Sequence, residues 1–244
     1  MPQASFATTA AFLCVVFGVA ALFVWALAWA PRRTGGEGFS ISWAGVALAL
    51  LAVWLGVPAI VARTGALADF SGRPPAIGML LAGLVICTTA LAFSRVGTRL
   101  VQSVPIAGLI GFQVFRVPVE LMLHRLYVEG IVPVQMTYAG YNFDIVSGTL
   151  AAIVGVWALV NRPPTWVILA FNSVGSLLLL NIVSIAVLSM PTPMRAFQND
   201  PPNTFVAHLP FVWLPSLLVQ AAWFGHLLVF RWLSRRRDAA GADM

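Results

Sequence analysis

Gln113, Arg116, Glu120 and His124 follow one another at intervals of three, four and four residues within the stretch Gly111 to Tyr127. At about 3.6 residues per turn, side chains so spaced line one face of a helix. An Arg, a carboxyl and an imidazole on one face can bind a cation or an anion, or relay a proton. The residues around them are apolar. An Arg at the centre of a membrane-spanning helix costs roughly 2.5–3.5 kcal/mol on insertion scales, so an ionisable residue there is a functional candidate. Glu120, one turn from Arg116, is the expected neutralising partner. Pro118 lies between them; it cannot donate to the Val114 carbonyl and is expected to bend the helix.

The chain continues this chemistry just beyond. Tyr127, Tyr138 and Tyr141, the only tyrosines, flank the polar connection Val128 to Asn142, which also holds Glu129 and Gln135. Asn142 and Asp144 open the next apolar segment, where Asn can cap the helix and Asp suits its dipole. A later connection, Pro191 to Pro210, supplies Arg195, Gln198, Asn199, Asp200, Asn203 and His208. His124, His208, Glu120, Glu129, Asp144 and Asp200 are therefore expected to meet near one face of the membrane. The candidate ligand-binding set is Arg116, Glu120, His124, Tyr127, Tyr138, Asn142 and Asp144. A metal-dependent alternative uses Glu120, His124 and His208 as ligands, with Asp144 or Asp200 as a further ligand or base. Plainer roles compete: an ion pair, a helix cap, an interfacial tyrosine belt. His226 reads as a packed residue near the inner end of its span, and Asn172, Asn181 and Gln220 as interhelical hydrogen bonds.

The elements that must position these residues follow from composition. The 244 residues are 60% hydrophobic and 9% charged, with a mean hydropathy of +0.90. A soluble domain is about 25% charged. So little polar surface implies an all-α integral membrane protein, because apolar stretches of about 20 residues can cross a bilayer only as helices or closed barrels. Seven spans are predicted in a single domain over residues 1–244, at about 9–30, 41–62, 77–93, 105–127, 143–160, 165–190 and 211–232. The first should stop at Pro31-Arg32-Arg33, before a flexible loop holding Gly35, Gly36 and Gly38. In the fifth, Ser147, Ala151 and Gly155 follow the small-xxx-small spacing that lets helices approach. Cys14 and Cys87 fall within apolar spans and read as small buried hydrophobes.

Net charge is +6, and every basic residue is Arg. With the N-terminus outside, the cytoplasmic segments hold Arg32, Arg33, Arg95, Arg99, Arg162, Arg231, Arg235, Arg236 and Arg237. The outer segments hold only Arg63, Arg73, Arg125 and Arg195. This bias predicts an outside N-terminus and a cytoplasmic C-terminus. The Arg residues thus report topology, not nucleic-acid binding. Residues 1–31 lack Arg, so the first segment reads as a retained span, not a cleaved signal.

Several chemistries have no signature. The absence of Lys excludes a retinal Schiff base. His124 and His226 are expected at different depths, which disfavours bis-His haem. There is no H-E-x-x-H, G-x-S-x-G or Walker A pattern. No cofactor is predicted. The runs F-R-V-P-V-E-L, L-H-R-L-Y, V-P-V-Q-M and G-Y-N-F-D-I resemble a group of uncharacterised bacterial polytopic membrane proteins. The resemblance covers roughly 40 residues best, around the fourth and fifth spans. It implies a multi-pass protein of a bacterial inner membrane and a role for Arg116, Glu120, His124, Asn142 and Asp144; it supplies no reaction. The expected partners are the lipid bilayer and a small polar or ionic ligand, bound or transported in an outward-facing pocket. A metal-dependent membrane enzyme acting on a lipid-like or periplasmic substrate and an accessory membrane subunit are the alternatives. The sequence leaves open whether the chain is an enzyme, and its oligomeric state.

Overall fold

The structure, a computed structural model, describes residues 3–33 and 40–242, with side chains over 3–28 and 43–236. Gly35, Gly36 and Gly38 of the predicted loop lie outside the described residues, as do the side chains of Arg32, Arg33 and Arg237. Among the described residues the α-helices are α1 (Phe6–Arg33), α2 (Ser40–Arg63), α3 (Ala76–Phe93), α4 (Arg95–Ser103), α5 (Ile106–Gly111), α6 (Arg116–Val128), α7 (Asp144–Val160), α8 (Thr165–Leu188) and α9 (Val219–Ala242), and there is no strand. Among the described residues six segments are long and apolar enough to cross a membrane: Phe6–Ala28, Trp43–Arg63, Ala76–Phe93, Ile106–Val128, Thr165–Leu188 and Leu214–Arg236. α7, at 17 residues, is shorter; at 1.5 Å per residue it extends about 25 Å. This is an all-helical architecture compatible with a membrane bundle. Leu48, Val53, Ile60, Ile86, Ile153 and Leu159 are exposed on its flanks, as apolar surface facing lipid would be.

Local chemistry sets several boundaries differently from the expectations. α1 runs through the Pro31-Arg32-Arg33 stop. The predicted fourth span is not one continuous α-helix. α5 ends at Gly111, Phe112–Phe115 form a 3₁₀ turn, and α6 begins at Arg116. Pro118 therefore falls in the first turn of α6, where a missing N–H breaks no intrahelical bond. Arg95–Ser103, expected as a plain connection, forms α4. Ser94 caps it by accepting from the Val96 N–H at 3.1 Å, and Gly97, Leu100 and Val101 bury one side at helical spacing. Before α9, Leu214–Leu218 form a π-helical turn containing Pro215. Side chains satisfy two of its carbonyls: Trp54 Nε1 donates to Ser216 at 2.7 Å and Gln220 Nε2 to Pro215 at 3.2 Å.

The predicted small-residue face does face inward, with Ser147, Ala151 and Gly155 buried. A Cβ on Gly155 would come within 3.3 Å of the Gly111 Cα, and one on Gly148 within 2.9 Å of the Val117 backbone nitrogen. α7 thus approaches α5 and α6 nearly at backbone contact. Cys14 and Cys87 correct the expectation of burial: both are free thiols and exposed.

The apolar core divides into two clusters. One includes Val119, Met122 and Leu123 of α6, Leu179 and Ile182 of α8, and Phe205, Val206, Ala207 and Phe211. The other includes Leu109 and Ile110 of α5, Ala151 and Val154 of α7, Ile168 and Phe171 of α8, and Leu227 and Leu228 of α9. Buried polar residues fall between them along the chain. In α8, Ile168 and Phe171 are followed by Asn172 and Ser176, and then by Leu179 and Ile182.

Candidate functional site

Arg116, at the start of α6, is 2% exposed. A guanidinium has five N–H donors and no acceptor. Nε donates to Asp144 Oδ2 at 2.9 Å, and Nη2 donates to Asp144 Oδ1. This two-pronged pair is the geometry in which Arg binds a carboxylate most strongly. Nη1 donates to the Gly175 carbonyl at 3.1 Å and faces His226 Nε2 at 3.0 Å. Because Arg only donates, Nε2 must accept, so the ring proton lies on Nδ1. Nδ1 then donates to Asn172 Oδ1 at 2.9 Å, and Asn172 Nδ2 donates to the His226 carbonyl at 3.0 Å. Every assignment in this chain of bonds follows from the one fixed donor.

The expected Arg116–Glu120 ion pair is not formed. Glu120 Oε1 instead accepts from Asn142 Nδ2, which also donates to the Met136 carbonyl at 3.0 Å. Asn142 Oδ1 accepts from the Asp144 N–H at 3.1 Å. Asn142 thereby holds the first turn of α7, close to the capping role expected of it, and links the Glu120 carboxyl to the Asp144 backbone. Asp144 displaces Glu120 as partner because it approaches from a separate helix and can present both oxygens to the fork. An i,i+4 neighbour lies above the Arg on the same helix. Gln113, in the 3₁₀ turn, donates to the Ala222 carbonyl of α9 at 2.9 Å. The polar centre is therefore Glu120–Asn142–Asp144–Arg116–His226–Asn172, carried by α6, α7, α8, α9 and the connection before α7.

A cavity of about 70 Å³ adjoins it. Leu123, Met136, Leu179, Ile182, Val206 and Leu218 are among its apolar walls; its polar lining residues are Arg116, Glu120, Asp144 and Asn203. Glu120 is 1% exposed, and its Oε2 has no hydrogen-bond partner.

The other predicted residues are distributed elsewhere. His124 is half-buried and stacks on Tyr138 at 4.4 Å between ring centres, with Tyr127 tilted at 5.9 Å. None of these three lines the Glu120 cavity. His208 lines a different cavity with Gln3, Gly130 and Phe211. Asp200, its side chain 88% exposed, is 3.6 Å from Arg195. The expected meeting of His124, His208, Glu120, Glu129, Asp144 and Asp200 does not occur. Glu120 and Asp144 come together and the rest do not: His124 stacks with Tyr138, His208 lines a separate cavity, Asp200 lies beside Arg195 and Glu129 is bound to Ser5 and Thr8. Among the described residues no group of three or more His, Cys, Asp or Glu could hold a metal ion.

Glu129, at the end of α6, anchors the start of α1. It accepts from the Ser5 N–H at 2.9 Å, Ser5 Oγ at 2.8 Å, Thr8 Oγ1 at 2.6 Å and Arg125 Nε at 3.1 Å. Donation by the Thr8 hydroxyl above all, then by Ser5 and Arg125, holds its pKa down at about 2. Asn181, expected to be buried, lies nearer the surface and donates to the Tyr141 carbonyl at 2.8 Å.

Sequence reasoning missed His226 as a member of the centre. Taking the last span to end near Trp232 put it close to the inner surface. The apolar segment runs Leu214–Arg236, which sets His226 near its middle. No sequence signal pairs the two helices: a Cβ on Gly175 would lie 2.6 Å from His226 Cε1, a close crossing of α8 and α9 that only the packing shows. Comparisons of this chain with protein-family models, curated proteins and solved structures found no match.

Proposed function

We propose that this chain is a multi-pass protein of a bacterial inner membrane that binds or transports a small polar or ionic ligand in the cavity beside Glu120. In this reading α7 is a seventh span, the N-terminus is outside and the C-terminus cytoplasmic, in keeping with the Arg distribution. The observation that carries the binding role is the carboxyl of Glu120: buried, held through Oε1 by Asn142, with Oε2 unpartnered beside a cavity. A purely structural carboxyl in a spanning segment would have both oxygens engaged, since an unsatisfied buried polar atom costs about 1–3 kcal/mol. Arg116 and Asp144 neutralise each other and position Asn142, which orients Glu120.

The test is thermal melting of detergent-purified protein against single solutes: sodium, potassium and methylammonium chlorides, sodium acetate, sodium phosphate and glycerol. Glu120→Gln protein is run beside the wild type. At least one solute should raise the wild-type Tm saturably, with the rise lost in Glu120→Gln. Uptake of that solute into reconstituted vesicles then separates transport from binding. A panel without any Glu120-dependent shift would sink the reading.

A further inference from the structure

We propose that the occupant of the Glu120 cavity is a small primary alkylammonium ion, its ammonium head on Glu120 and Asn203 and its hydrocarbon body against the apolar wall. This rests on the reading that the cavity binds a ligand, and it names the ligand's class.

The polar atoms of the cavity set the sign. Asn203, contributed by the connection between α8 and α9, is fully buried. Its Nδ2 donates to the Ala186 carbonyl at 2.8 Å. A carbonyl only accepts, so this bond fixes the amide orientation and leaves Oδ1 as the second polar atom. Asn203 Oδ1, like Glu120 Oε2, is buried and without a hydrogen-bond partner. Both residues line the same cavity. Two of the lining residues thus each carry an unsatisfied acceptor. On the donor side, four of the five N–H groups of Arg116 are already directed at Asp144, Gly175 and His226. An anion would find acceptors where it needs donors.

Charge leads the same way. Arg116 and Asp144 cancel as a pair, and the Arg116-facing nitrogen of His226 accepts. The carboxyl of Glu120 has no cationic side chain of its own. An uncompensated charge in a spanning segment is costly, and a proton or an entering cation can balance it.

The wall then selects among cations. A sodium or potassium ion needs a shell of oxygens, and most of the lining residues are Leu, Ile, Val, Ala, Met, Phe and Pro. A primary ammonium has three N–H donors; two match Glu120 Oε2 and Asn203 Oδ1, and its alkyl body matches the rest. One water needs about 10–15 Å³ by this measure, so a cavity of about 70 Å³ has room for several heavy atoms.

The experiment titrates methyl-, ethyl- and propylammonium chloride into wild-type, Glu120→Gln and Asn203→Ala proteins and follows Tm. Tetramethylammonium, which has no donor, sodium and potassium chloride, and sodium acetate and propionate are the controls. Primary alkylammonium ions should stabilise the wild type saturably and tetramethylammonium should not. Each variant should weaken the apparent affinity by at least about tenfold. Asn203→Ala leaves the ion-pair centre intact and keeps the test decisive if Glu120→Gln fails to fold. A Glu120-dependent response to sodium, potassium or a carboxylate in place of the alkylammonium ions overturns the inference and leaves the ligand-binding reading standing. The same holds if tetramethylammonium acts as well as methylammonium. Absence of any response that depends on Glu120 or Asn203 overturns both.

Discussion

At the scale of single residues, the centre is organised by one fact: Arg116 can only donate. That fixes the tautomer of His226 and, through it, the amide of Asn172. Asp144 carries the balancing charge with both oxygens. Removing one partner of such a pair strands the other in a poorly solvating interior, a loss of about 3–5 kcal/mol. Asp144→Ala should therefore lower the Tm sharply in detergent melts. The double variant Arg116→Leu, Asp144→Leu should lose less than the two single changes together, because no charge is left behind. Additive losses would show that the pair is not coupled. This partnership was half legible in the sequence. Arg116 and Asp144 were both singled out, but helical spacing offered Glu120 as the nearer partner, and spacing along one helix says nothing about what a second helix presents.

At the scale of elements, close approach and end anchoring decide the arrangement. α7 passes α6 so nearly that a Cβ on Gly148 would meet the Val117 backbone nitrogen at 2.9 Å. Backbone cannot swing aside as a side chain can. Gly148→Ala should cost about 1–3 kcal/mol, visible as a lower Tm, whereas the same change at Gly18, which has nothing within 4 Å of the added Cβ, should not. Glu129 ties the start of α1 to the end of α6. Its pKa in the folded protein, about 2, lies below the ordinary value of 4.5. A depressed carboxylate contributes stability fully above its unfolded pKa and loses it as pH falls toward the folded one. Glu129→Gln should therefore melt below wild type at pH 6, and the gap should close as pH falls from about 5 toward 2. A gap independent of pH would exclude the ionised carboxylate as its source.

At the scale of the whole molecule, two connections between distant segments join the same end. Glu129 binds Ser5 and Thr8, and Gln135 accepts from Asn199 at 2.7 Å while donating to Ser189 at 2.8 Å. Arg231 of α9 reaches the Ala92 carbonyl at the end of α3 and Thr98 of α4. The proposed topology sets the first group outside and the second in the cytoplasm. It predicts that an impermeant maleimide added to intact cells labels Ser71→Cys, and labels Ser234→Cys only after the membrane is opened, with Cys14 and Cys87 replaced by Ser. The reverse pattern would invert the orientation, and labelling of both in intact cells would refute an odd number of spans.

The sequence by itself determined the class: charge depletion and apolar stretches of spanning length leave helices as the way to satisfy the backbone in lipid. It also marked Arg116, Glu120, Asn142 and Asp144, since polar residues inside apolar segments are conspicuous by type alone. Only the tertiary structure decided which of them touch. It broke the fourth apolar segment at Phe112–Phe115, folded Arg95–Ser103 into a helix, moved the counter-charge from Glu120 to Asp144 and brought in His226. It also set His124 with Tyr138 and His208 in a separate cavity. The physical reason is that hydropathy and periodicity report what each segment must bury. Which donor meets which acceptor depends on helix crossing and depth, and those are fixed by packing between segments far apart in the chain.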